Sequence, residues 1–137
     1  MAAATIFEIL HNMDKFTNNL LVEWNKTFNE DLGVSHVLLL GHLYTQGQSK
    51  SSDIAKELGL KPPTVTHLSE KLVRKGLAIR LTDDTDRRVV YLAITDEGTE
   101  ILHRANKEGH QLRTKLFEKL TEEEHRQMLK IYEKLNN

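Results

Sequence analysis

Cysteine is missing from this chain of 137 residues, which excludes disulfides and thiol redox sensing in any compartment. There is no apolar run of membrane-spanning length and no signal-peptide n-region, so a cytoplasmic protein without membrane contact is expected. Catalytic signatures are missing as well. No nucleophile elbow, glycine-rich phosphate loop or carboxylate pair flanked by apolar sequence occurs. Asp83, Asp84 and Asp86 are too turn-like to form an acid–base dyad, so no enzyme and no cofactor are expected. No repeat or low-complexity segment is present.

What remains is an ordinary globular composition. With 39% hydrophobic and 28% charged residues, the chain can bury one core but hardly two, and it is not a disordered polymer. The net charge of −1 hides an uneven distribution. Residues 61–91 carry seven Lys or Arg against four acids, residues 1–60 four against seven, and residues 92–137 eight against nine. Local positive charge, not the whole-chain balance, drives phosphate binding.

The basic segment has a definite pattern. Ser52-Asp53-Ile54-Ala55-Lys56-Glu57-Leu58 opens with capping residues and places Ile54, Ala55 and Leu58 on one helical face. Gly59 supplies a turn, and Pro62-Pro63 suit the first turn of a second helix, where a missing amide costs nothing. In that helix Val65, Leu68 and Leu72 form the buried stripe, while Pro62, Thr64, Thr66, His67, Glu70 and Lys71 face outward. Hydroxyls, an imidazole and a lysine reach base edges and phosphates without blocking close approach. Gly76 ends the helix after Arg74 and Lys75. Residues 77–81 and 89–94 read as strands of a ribbon whose tip, Thr82-Asp83-Asp84-Thr85-Asp86-Arg87-Arg88, ends in two guanidiniums suited to a minor groove. The tip alone reads equally well as a solvated hairpin turn. Two helices, a turn and a basic-tipped ribbon make a winged helix-turn-helix.

These residues also carry a resemblance. Ser52-Asp53-Ile54-Ala55, Pro63-Thr64-Val65-Thr66 and Leu72-Val73-Arg74-Lys75-Gly76-Leu77 resemble the multiple antibiotic resistance regulator (MarR) family of bacterial repressors. Asp83-Asp84-Thr85-Asp86-Arg87-Arg88 and Leu92-Ala93-Ile94-Thr95-Asp96-Glu97-Gly98 are similar to that family's wing and the following helix start. The resemblance spans essentially the whole chain. It implies an obligate homodimer on pseudo-palindromic double-stranded operator DNA, often released by a small ligand, and it assigns Asp86 and Arg88 to the aspartate-x-arginine wing pair. Pro62-Pro63 and His67 stand where small polar and arginine residues are more usual, which bears on the operator sequence. The lack of cysteine excludes the peroxide-sensing branches.

The flanks look like an assembly scaffold. A helix over Ile6–Asn29 carries Ile6, Ile9, Leu10, Met13, Phe16, Leu20, Leu21, Trp24 and Phe28, and a second over Thr95–Leu120 carries Ile101, Leu102, Ala105, Leu112, Leu116 and Leu120. Thr121-Glu122-Glu123-Glu124 reads as a capping box opening a third helix with Met128, Ile131, Tyr132 and Leu135. Apolar stripes with no partner in the chain suggest an intermolecular bundle; folding back onto their own subunit is the alternative. The expected fold is therefore mainly α, a single domain over 1–137. Its winged helix-turn-helix lobe is 35–95, with a small β-hairpin wing, and its dimerisation helices are 1–30 and 96–137.

A middle helix, Ser35–Gln46, is expected to pack Val37, Leu38, Leu39, Leu40 and Leu43 beneath the DNA-reading pair, and Ser51 or Ser52 to cap the next helix beside a phosphate. The expected DNA-contacting set is Ser51, Lys61, Pro62, Thr64, Thr66, His67, Lys71, Asp86, Arg87 and Arg88. Met13, Trp24, Phe28 and His36 are expected to line a cleft for a small aromatic effector, though these side chains serve equally well as core. His36, His103 and His110 with Glu100 or Glu108 invite a zinc reading, but no paired-histidine motif supports it and no metal is expected. Two other functions stay open: a winged-helix module binding protein instead of DNA, and a zinc-responsive repressor of the same fold.

Overall fold

The computed structural model describes residues 2–137. Along the chain run α1 (Ala2–Thr27), α2 (Val34–Gln46), β1 (Ser49–Lys50), α3 (Ser51–Leu58), α4 (Pro62–Arg74), β2 (Ala78–Thr82), β3 (Val90–Ile94), α5 (Asp96–Phe117) and α6 (Glu122–Leu135). The strands form an antiparallel sheet in the order β1-β3-β2. The fold is the mainly α winged helix-turn-helix that the sequence pattern implies. The chain divides into two compact units, Met1–Phe28 with Lys107–Asn137, and Asn29–Asn106.

The second unit, the lobe, closes around its own core. Leu39, Leu40 and Leu43 of α2, Ile54 of α3, Val65 and Leu72 of α4 and Leu92 of β3 are all buried. Leu102 and Ala105, on the first half of α5, are buried as well. The expectation that all five apolar residues of α2 pack inward is corrected at Leu38, which is 56% exposed. Successive helical residues turn by about 100°, so four consecutive apolar positions cannot share one face.

The step from β3 into α5 has strict requirements. Thr95 Oγ1 donates to the Gly76 carbonyl at 2.7 Å and accepts from the Gly98 amide at 3.0 Å, while the Thr95 amide donates to the Leu77 carbonyl at 3.1 Å. A Cβ on Gly98 would lie 2.1 Å from the Leu77 carbonyl oxygen, so only glycine fits there.

Several boundaries move from those expected. β1 was not anticipated, because two residues carry no readable alternation. The cap of α3 is Lys50, in an extended conformation and without a side-chain bond; neither Ser51 nor Ser52 caps it, as both lie inside the first turn. α1 begins at Ala2 instead of Ile6 and ends at Thr27, before Asn29. α5 ends at Phe117 instead of Leu120, because Lys119 and Leu120 bond back to Leu116 and Phe117 and tighten the last turn.

The first unit is different in kind. Phe16 meets Phe117 edge-on, with ring centroids 6.1 Å apart. Trp24 and Phe28 stack at 4.8 Å, and Gly109 lies where a Cβ would sit 3.7 Å from the Trp24 indole. Thr121 and Glu124 exchange the two bonds of the expected capping box, at 2.9 and 3.2 Å, which hold Glu124 below the usual carboxylate range. α6 nevertheless buries no residue, and Ile6, Phe7, Leu10, Met13, Ile131 and Leu135 are all exposed.

Candidate nucleic-acid interface

The turn between α3 and α4 depends on Gly59, whose φ of 65° is left-handed, and on the Leu60 amide donating to the Ala55 carbonyl at 2.8 Å. It delivers α4 with Val65, Leu68, Ser69 and Leu72 buried. Ser69 satisfies its buried hydroxyl by donating to the Val65 carbonyl at 2.6 Å. The opposite stripe, at i, i+4, i+7 and i+11 spacing, is Pro63, His67, Glu70 and Arg74, and all four are exposed. Pro63 joins the expected face, and Arg74 extends it at the C-terminal end. Pro62, Thr64 and Thr66 are exposed near the N-terminal end of the helix, and Lys61 is its exposed cap.

Thr66 and Lys71 lie on opposite flanks of that stripe and meet different surroundings. Thr66 borders the groove beside the wing. Lys71, expected to face phosphate, turns away: its side chain is only 26% exposed and its Nζ lies 3.2 Å from the Asp31 carboxylate in the loop before α2. Asp31 has a φ of 54°, a left-handed conformation that aspartate tolerates. Nearby His36 accepts the Gly33 amide at 3.1 Å through Nδ1, which requires a neutral ring. Burial, then the charges of Lys71 and His67, hold His36 below its ordinary value of 6.5. In the same loop, Glu30 pairs with Arg104.

The wing is pinned by its own side chains. β2 and β3 pair from Ala78 opposite Ile94 to Thr82 opposite Val90. At the tip, Asp83 accepts the Thr85 amide and hydroxyl at 2.9 and 2.8 Å. Asp86 accepts the Arg88 amide at 3.0 Å, and its two oxygens take Nε and a terminal nitrogen of the Arg88 guanidinium at 3.1 and 3.3 Å. Those bonds, the guanidinium's first, hold the Asp86 carboxyl below the usual carboxylate range. The guanidinium is thereby oriented while its side chain stays 92% exposed. Arg87 is exposed beside it.

Between α4 and the wing runs an open groove of about 580 Å³, bordered by Lys50, Ser51, Thr66, Glu70, Arg80 and Arg88. It brings Ser51, Thr66 and Arg88, far apart in sequence, onto one surface. Lys50 and Arg80 were missed. Lys50 is placed by the two-residue β1, with its ammonium 6.0 Å from the Tyr91 ring centroid, and Arg80 reads in the sequence as the interior of a strand.

The residues expected to line an effector cleft divide between the two units. In the first unit Met13 is exposed, whereas Trp24 and Phe28 are buried. In the lobe, His36 is half-buried and occupied as an acceptor of the Gly33 amide. His103 packs edge-on against Tyr44 with centroids 5.1 Å apart. Among the described residues no group of three or more His, Cys, Asp or Glu side chains is placed to hold a metal, and no helix is long and apolar enough to cross a membrane.

Residues 33–90 match the model of the MarR family. The helix-turn-helix-type transcriptional regulator YhbI of Bacillus subtilis is 31% identical over 90 residues, covering 66% of this chain and 58% of that protein. The chain thus spans little more than half the length of that relative. Among solved structures, the YusO protein from Bacillus subtilis superposes with a TM-score of 0.80 at 26% identity, covering 99% of this chain and 97% of the other. The MepR–DNA complex of S. aureus superposes with a TM-score of 0.72, also at 26% identity, over 91% and 93% of the two chains.

Proposed function

We propose that this chain, which belongs to the MarR family, is a transcriptional repressor that binds pseudo-palindromic operator DNA as a homodimer in the bacterial cytoplasm. The observation that carries this reading is the convergence within one lobe of the exposed stripe of α4 and the Asp86-oriented Arg88 guanidinium, across a groove edged by Lys50 and Arg80. α4 enters the major groove with Thr64, Thr66 and His67 toward base edges and Pro62 at its tip. Arg88 enters the adjoining minor groove, held in a productive rotamer by Asp86. Lys50, Ser51, Lys61, Arg80 and Arg87 meet phosphates and set the register. Lys71 serves instead to hold the loop at Asp31.

Dimerisation through the apolar faces of α1 and α6 supplies the second reading head, because one helix reads too few base pairs for useful specificity. Release by a small aromatic ligand belongs to the same proposal, the ligand selecting a population with altered spacing of the wings. Selection from randomised duplex DNA, followed by gel shifts in graded salt, tests the core of it. A two-fold consensus with a salt-dependent affinity is expected; binding to all duplexes alike would defeat the operator reading. Calorimetry with salicylate-like compounds tests the effector.

A further inference from the structure

The N-terminal tip of α4 has no free backbone donor. Pro62 and Pro63, its first two residues, have no N–H, and both rings are exposed. The next two amides are spent, since Thr64 N and Val65 N both donate to the Lys61 carbonyl, at 3.0 and 3.2 Å. One turn on, the Thr66 hydroxyl donates its proton to the Pro62 carbonyl at 3.2 Å, leaving only oxygen lone pairs and a methyl to face outward. A helix start normally offers free amides and a positive dipole end to an anion. Here that end offers pyrrolidine carbons, threonine methyls and oxygen acceptors, with the exposed Thr64 hydroxyl as a lone short donor.

We infer that the tip of α4 reads A·T pairs, through the thymine C5-methyl packed on the Pro62–Pro63 rings and the adenine N6 amino group donating to a threonine oxygen. The inference rests on the proposed entry of α4 into the major groove. The chemistry selects one pair type. Guanine presents two acceptors in that groove, and the Thr64 hydroxyl can meet only one of them, which leaves the other desolvated without a donor. An A·T pair presents what the tip complements, a methyl and a donor. Two neighbouring donors do not undo the selection. The Lys61 ammonium ends a long exposed stem at the cap, where phosphates lie, and His67 stands a full turn further along the stripe.

The test uses the full-length wild-type protein and the duplex it selects from a random library. Each thymine of a half-site is replaced in turn by deoxyuridine, which removes only the C5-methyl. At least one position is expected to lose about threefold to fivefold in affinity, the worth of one buried methyl. In Pro63→Ser and Pro62→Ser, which restore an amide and a hydroxyl donor, that sensitivity is expected to vanish and G·C to be admitted at the same position. Circular dichroism and thermal unfolding verify that both variants are folded. Equal binding of deoxyuridine and thymidine duplexes at every position overturns the inference while leaving a selected operator intact. Failure to select any consensus, or a consensus indifferent to His67→Ala and to both proline variants, overturns the entry of α4 into the groove and this inference with it.

Discussion

The lobe and the end helices are written in the same helical periodicity, yet only the lobe closes. In α4 the stripe Val65, Leu68, Leu72 is buried by its neighbours, and with α2, α3, β3 and the start of α5 it makes a continuous core. In α6 an equally regular stripe of Met128, Ile131, Tyr132 and Leu135 buries nothing, and among the described residues of α1 only Trp24 is buried. An amphipathic pattern states that a face is to be covered and leaves open by what. Contiguous apolar surface on this scale marks an interaction site on a folded protein. The lobe therefore resembles a self-sufficient reading head, and the end helices resemble half of an interface.

Removing residues 1–20 should break that contrast most severely. It takes away Ile6, Leu10, Met13 and Phe16 together, and dimer and specific DNA binding are expected to disappear in one step, as read by sedimentation and gel shift. A truncated monomer that kept full operator affinity would contradict the assignment. Next come paired substitutions. Leu72→Ala, inside the lobe core, should cost about 2–5 kcal/mol of folding stability in chemical denaturation. Ile131→Ala, on an exposed face, should leave the folding of a dilute monomer nearly unchanged while weakening the dimer. Equal effects of the two on both measurements would erase the difference between the lobe and the end helices.

Within the reading head, Arg88→Ala should lower operator affinity by roughly tenfold or more with the dimer intact. Arg87→Ala should weaken all duplexes alike and reduce the salt slope by about one. Asp86→Asn, which keeps an acceptor but loses the charge, should fall between wild type and Arg88→Ala if orientation of the guanidinium matters. The smallest effect concerns pH. Because His36 is held below its ordinary value of 6.5, the unfolded chain takes up this proton at a higher pH than the folded one. Its contribution to stability is complete above pH 6.5 and is lost as pH falls through that value and further below it. Thermal unfolding should shift downward on acidification across this window, and His36→Gln, whose amide oxygen can still accept from Gly33, should flatten the difference.

Much of the head was legible because local rules dominate it. Gly59, the Pro62-Pro63 entry, the Val65–Leu68–Leu72 stripe and the Asp86–Arg88 spacing each act over a few residues, and each is found where the pattern placed it. The capping box at Thr121–Glu124 is of the same kind. What escaped is what distance in sequence conceals. Lys50 enters the groove only because β1 pairs with β3, its residue lying opposite Tyr91. Arg80 joins the same edge by hairpin register. Lys71 is drawn to Asp31, forty positions earlier, so an ammonium that the helical face would offer to DNA is engaged elsewhere.

Gly98 draws the same boundary. As a letter in the sequence it is one glycine near a helix start, and only the approach of the Leu77 carbonyl makes any side chain there impossible. Periodicity, caps, turns and the local sign of charge are readable along the chain, since these follow from backbone dihedrals and neighbours within about one turn. Which stripe is closed and which cation is engaged were decided by tertiary structure. Each of those depends on a partner group brought close by packing, and free energy is assigned to pairs of groups in space, not to positions along a chain.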